Sequence, residues 1–161
     1  AFASCGSFVA GRARTLEYLR YYANPYGFSC ALPPPVVASV LKALEISRRD
    51  DSLRTRLAEN AAYFRKQLHG LGIDTGASTT HVVPIILGKH RELLYMLSYA
   101  MLARGLFVAP VDYPSVPEDQ VRFRASITAA HTRADLDEAL NIIEGTVVKA
   151  LCNALQVRAA S

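Results

Sequence analysis

Two arginines two residues apart, Arg122 and Arg124, are the first side chains in this sequence with an evident chemical use. They lie in Val121-Arg-Phe-Arg-Ala-Ser-Ile127, which alternates apolar and polar as a strand with one exposed face does. On a strand both point to the same side, so two guanidinium forks stand together. A guanidinium matches a carboxylate with two parallel hydrogen bonds. A solvated sheet face would also carry such a pair, and the residues alone leave both readings open. Ser29 and Cys30 lie on a Gly- and Pro-rich turn ahead of a helix start. Backbone N–H groups and a hydroxyl there suit a phosphate, and equally a simple helix cap.

Other patterns carry less. Ser39-Val-Leu-Lys42 matches an S-x-x-K nucleophile, but its partner motifs are absent and Ser39 falls mid-helix. Gly70-Leu-Gly72 follows a helix instead of opening one, so it reads as a helix stop. His69, His81, His90 and His131 have no partner at metal-ligand spacing, and no metal site is expected.

These residues need elements to hold them. Arg12–Tyr22 has helical spacing, and Asn24-Pro25-Tyr26-Gly27 should stop it. Phe8-Val-Ala10 reads as a short buried strand. Pro35–Ile46 is apolar on most sides, so a largely buried helix is expected. Asp51–Leu71 carries the clearest stripe, with Leu53, Leu57, Ala61, Phe64, Leu68 and Leu71 in line. Beyond it Val82–Leu87 reads as a strand, His90–Arg104 as a helix closed by Gly105, and Leu106–Ala109 as a second strand. A loop over Asp112–Asp119 leads into the arginine strand. Thr132-x-x-Asp135 resembles a capping box that opens a helix reaching about Ala150. Strand, helix, strand, strand, helix predicts a small α+β layer, antiparallel at least in part.

Composition sets bounds. The chain has 161 residues, 51% hydrophobic and 20% charged, a globular balance that argues against disorder. A net charge of +4 is spread along the sequence, which suits solvated helix faces better than nucleic acid. Three scattered cysteines argue against a disulfide framework and fit a reducing, cytoplasmic setting. No apolar run approaches a membrane span. The opening Ala-Phe-Ala-Ser-Cys-Gly-Ser-Phe looks like the inside of a domain, so a truncated chain is expected.

Five segments in order extend this reading: Gly6-Ser-Phe-Val-Ala-Gly11, Tyr18-Leu-Arg-Tyr-Tyr-Ala23, Phe28-Ser-Cys-Ala-Leu-Pro-Pro34, Pro84-Ile-Ile-Leu-Gly88 and Arg122-Phe-Arg-Ala-Ser-Ile-Thr-Ala-Ala-His-Thr132. Together they resemble the C-terminal part of the α-oxoamine synthases, pyridoxal-phosphate enzymes of fold type I. Serine palmitoyltransferase and 8-amino-7-oxononanoate synthase are the members the sequence looks most like. The resemblance implies an α/β to α+β fold: the end of the large cofactor-binding domain over 1–47, a linking helix over 48–72, and a small C-terminal α+β domain over 73–161. That small domain would have a mostly antiparallel sheet with helices on one face.

It also implies a homodimeric transferase that joins an amino acid to an acyl-CoA with loss of CO2, using pyridoxal 5'-phosphate. Ala1-Phe-Ala-Ser-Cys-Gly6 matches the residues immediately after the family's Schiff-base lysine, although Gly6-Ser7 alters its glycine pair. The lysine is therefore expected just before Ala1, and the chain alone is expected to be inactive and without cofactor. By the same match Arg124 grips the substrate carboxylate with Arg122 beside it. Ser29 and Cys30 match a Ser/Thr pair that reaches the cofactor phosphate of the partner subunit, with Cys30 in place of a hydroxyl. His131 belongs to the motif and reads as packing. An aminotransferase of the same fold and a non-catalytic dimerisation fragment are the competing readings.

Overall fold

The computed structural model describes residue 2 and residues 4–159. The chain divides into two compact units, Ala1–Asp51 and Ser52–Ser161.

The first unit is helical. Helix α1 spans Ala13–Tyr22 and ends at Ala23, whose backbone turns extended. A single turn, α2, follows over Asn24–Gly27, with Phe28 N–H bonded to Asn24 C=O at 3.0 Å. Asn24 is thus helical despite the proline after it, because it heads the turn and Pro25 has no earlier turn to clash with. Helix α3 spans Pro34–Arg49 and starts on prolines, whose missing N–H groups cost nothing in a first turn.

Two expectations fail in this unit. Phe8–Ala10 forms no strand, and Phe8 is 87% exposed. Helix α3 forms where its periodicity places it, yet none of its residues is buried. Apolar composition creates a demand for cover, and within this unit nothing meets it.

The second unit holds the core. Helix α4 (Ser52–Gly70) ends where Gly72, at φ 75°, lets Ile73 N–H reach back to Leu68 C=O at 3.0 Å. Strand β1 (Val82–Gly88) and helix α5 (Arg91–Leu102) follow. Gly105, at φ 88°, closes α5 in the same way through a 3.0 Å bond from Leu106 N–H to Met101 C=O. That closure corrects the second expected strand. Leu106 belongs to the helix end, so β2 begins later and spans Ala109–Val111. Strand β3 spans Val121–Ser126 after a short 3-10 turn at Glu118–Gln120. Helix α6 (Arg133–Ile143) runs through a π-helical turn (Glu144–Val148) into α7 (Lys149–Ala159). Its capping box is complete, with Thr132 and Asp135 each bonding the other's backbone N–H.

The sheet is antiparallel in the order β1-β3-β2, as the α+β reading requires. One face is core: Val83, Ile85 and Leu87 of β1 and Val121, Phe123 and Ala125 of β3 are buried. Onto it pack Phe64 and Leu68 from α4, Leu94 and Met101 from α5, and Leu136 and Ile143 from α6. The described helices of this unit pack on that face. The other carries the residues that alternate with the core, Arg122 and Arg124 among them. No described helix is long and apolar enough to cross a membrane.

Candidate functional site

The open sheet face is built by register. Arg124 stands opposite Pro84 on β1 and Ala109 on β2, while Arg122 stands opposite Ile86 and Val111. Flanking side chains are therefore small or apolar, which leaves both guanidinium groups without a neighbouring carboxylate in the ladder. The Thr75–Thr80 segment rises beside the sheet and completes a cavity of about 400 Å³. Gly76 makes a tight bend there at φ 56°, and its N–H bonds Asp74 Oδ1 at 2.7 Å. Ser78, Thr80, Val82 and Pro84 line one side, Val111 another, and both arginines the floor. No lysine lines it among the described residues.

The two arginines differ in state. Arg122 Nε donates to Gln120 C=O at 2.9 Å, and its Nη2 donates to Gln120 Oε1 at 2.9 Å. Arg124 is exposed and has no hydrogen bond or ion pair among the described residues. It is a cation on a rigid strand, facing a cavity, with its full set of donors available. Such a group suits an incoming carboxylate.

Ser29 and Cys30 belong to the other unit, on the stretch between α2 and α3. Both are exposed, and the Cys30 thiol is free. Ser29 Oγ donates to Pro25 C=O, which fixes the hydroxyl against the end of α2. The backbone N–H groups of Ser29 and Cys30 have no backbone partner among the described residues. The free N–H donors fit a phosphate group, whereas the Ser29 hydroxyl proton is already given to Pro25 C=O. The structure thus pairs Arg122 with Arg124 and Ser29 with Cys30, each pair within its own unit.

His131 is occupied locally. Its Nδ1 accepts from Thr128 N–H at 3.3 Å, and its carbonyl accepts from buried Asn60 at 2.9 Å. Asn60 also bonds Thr128 C=O at 3.1 Å, which ties α4 to the turn after β3. Among the described residues no group of three or more His, Cys, Asp or Glu is arranged to hold a metal ion. Sequence reasoning missed Gln120, the Thr75–Thr80 wall and Val111. Only the glycine at 76, within a run of small polar residues, hinted at a tight loop there.

Comparisons with known proteins bear on the family and the fold. The family model described as aminotransferase class I and II matches residues 1–143. An 8-amino-7-oxononanoate synthase of Thermoanaerobacter pseudethanolicus is 40% identical over 139 residues, covering 86% of this chain and 35% of that protein. A 4-hydroxy-2,2'-bipyrrole-5-methanol synthase of a Serratia species is 36% identical over 149 residues, covering 92% of this chain and 23% of that protein. Among solved structures, serine palmitoyltransferase from S. paucimobilis with a bound pyridoxal-phosphate–myriocin aldimine aligns with a TM-score of 0.80 at 28% identity. That alignment covers 97% of this chain and 38% of the other. The chain thus spans about a third of the length of most of the curated relatives it matches.

Proposed function

Because the chain belongs to the aminotransferase class I and II family, we propose that it is the C-terminal portion of a pyridoxal-phosphate-dependent α-oxoamine synthase. The complete protein would condense an amino acid with an acyl-CoA. The bond from Cα to the carboxylate breaks, CO2 leaves, a bond from Cα to the acyl carbon forms, and CoA departs as its thiol. The cofactor, when bound, supplies the electron sink for the carbanion. This chain contributes recognition. Arg124 holds the amino acid's carboxylate, Arg122 stands beside it, and the Ser29–Cys30 turn braces the phosphate of the cofactor in the partner subunit of a homodimer. Cys30 gives a weaker contact than a hydroxyl would, and the Ser29 hydroxyl has to turn away from Pro25 C=O to reach the phosphate, so the backbone N–H groups carry most of it. On this reading residues 1–47 are the end of the cofactor-binding domain, 48–72 the linking helix, and 73–161 the small domain. The setting would be cytoplasmic.

One observation carries the reading. Of the two arginines in one cavity, Arg122 is bonded to Gln120 while Arg124 has no hydrogen-bond or ion-pair partner among the described residues. The experiment is substitution in the complete protein. Arg124→Ala should weaken amino-acid binding by about 2–4 kcal/mol, the loss expected for a carboxylate deprived of a charged partner. Acyl-CoA binding should change little, and Arg122→Ala should cost less than Arg124→Ala. Equal losses from both, or a loss confined to acyl-CoA, would overturn the assignment.

A further inference from the structure

The contact between Arg122 and Gln120 has a particular shape. Arg122 Nε and Nη2 form the side-on edge of the guanidinium, the edge a carboxylate grips with its two oxygens. Gln120 meets that edge with two oxygens of its own, the backbone carbonyl and the side-chain Oε1, both at 2.9 Å. Gln120 therefore stands where a carboxylate would. It can do so because it closes the 3-10 turn Glu118–Gln120, which brings its backbone and side chain to the same side of Arg122 as β3 begins. The fork of Arg124, two residues on, has no such plug.

We infer that Gln120 sets the charge of the amino acid this site accepts, by closing the side-on fork of Arg122 so that the cavity offers one open guanidinium and takes a monocarboxylic substrate. The inference rests on the proposed role of Arg124. Its physical content is competition. A second carboxylate on the substrate must displace Gln120 or settle for the remaining N–H groups of Arg122. A neutral amide leaves the positive charge of Arg122 in place, so the discrimination lies in donor geometry; it weakens when a substitution strips Oε1 from Nη2, while the backbone carbonyl stays on Nε.

The test is equilibrium binding of alanine and of aspartate to the complete, cofactor-loaded protein. Gln120→Ala should raise affinity for aspartate relative to alanine by about tenfold, the scale of one hydrogen bond between charged partners. Gln120→Glu restores an oxygen at the same edge and adds a negative charge, so the ratio should stay at or below that of the unsubstituted protein. Adding Arg122→Ala to Gln120→Ala should abolish the gain. An unchanged ratio in Gln120→Ala, or a gain that survives loss of Arg122, overturns the inference. If Gln120→Ala lowers the melting temperature sharply, Gln120→Met keeps the side-chain length and is read the same way. Arg124→Ala separates the two levels. If it leaves binding of both amino acids intact, the carboxylate assignment itself fails. If it abolishes both while the Gln120 variants leave the ratio unmoved, the role of Gln120 alone fails.

Discussion

Arg91 Nε donates to the Asp112 carboxylate at 3.0 Å, tying the first turn of α5 to the residue that follows β2. Tyr95, one turn further along α5, adds its hydroxyl at 3.4 Å, and Tyr113 N–H adds a bond of 2.7 Å. This knot fixes the exit of the strand whose Val111 lines the arginine cavity.

The knot predicts acid sensitivity. Burial alone would raise the Asp112 pKa, but the donors from Tyr113, Arg91 and Tyr95 outweigh it and hold the carboxyl below its ordinary value. The folded state then binds fewer protons than the unfolded one below about pH 4. The contribution is therefore fully present above the ordinary carboxyl pKa and is lost as pH falls through the lowered one. Melting temperature should drop over that acid range. Asp112→Asn should lie lower at pH 7 and show a flatter acid limb; a limb as steep as that of the unsubstituted protein would remove Asp112 from this role.

The capping box gives a second carboxyl with the same sign. Asp135 Oδ2 accepts from Thr132 N–H at 2.7 Å and from Thr132 Oγ1 at 2.8 Å, and these bonds lower its pKa. Thr132→Ala removes the cap and should cost about 1 kcal/mol in urea denaturation. Hydrogen exchange should localise the loss to the first turn of α6. Uniform weakening along the helix would count against a cap.

Elements that depend on nearest neighbours are legible in the sequence, and elements that depend on cover are not. Thr132-x-x-Asp135 can be read directly because both partners lie within one turn. The alternation in Val121–Ile127 places Arg122 and Arg124 on one face because strand geometry leaves no other choice. Strand β2 lies later than its apolar residues suggest, because its position is set by pairing with Arg122–Arg124 while Leu106 is taken by the end of α5. The exposure of α3 is illegible for a different reason, since periodicity reports which face wants cover and not whether a partner supplies it. The Gln120 plug has no sequence signature at all. It needs a 3-10 turn and a strand to meet at one residue.

Tyr63 reports the packing of α6 on α4 through its titration. Its hydroxyl donates to Asp137 and Arg133 lies 3.4 Å over its ring. The bond to Asp137, joined by burial and the carboxylate's charge, raises the phenol pKa, and Arg133 offsets it only in part. Stability from this group is fully present below about pH 10, the ordinary phenol value, and is lost as pH rises through the raised one. Unfolding curves should therefore weaken above that pH. Tyr63→Phe should weaken the protein at pH 7 and show less of the alkaline decline. An identical decline in the variant would assign it to other groups.

Phe123 and Phe107 provide the sharpest test of the packing itself. Phe123 sits on the central strand between Arg122 and Arg124, is 0% exposed, and points into the core opposite the arginine face. Phe107 follows the end of α5 and is 73% exposed. Phe123→Ala leaves a cavity beneath the sheet and should cost about 3–5 kcal/mol, a large share of what a unit this size has to spare. Phe107→Ala should change stability by no more than about 0.5 kcal/mol. The two positions also separate folding from recognition. Loss of Phe123 should loosen β3 and therefore weaken the amino-acid binding proposed for Arg124 in the complete protein, whereas loss of Phe107 should leave it unchanged. Matching costs at the two positions in paired urea denaturations would mean that the one-sided core assigned to this sheet is wrong.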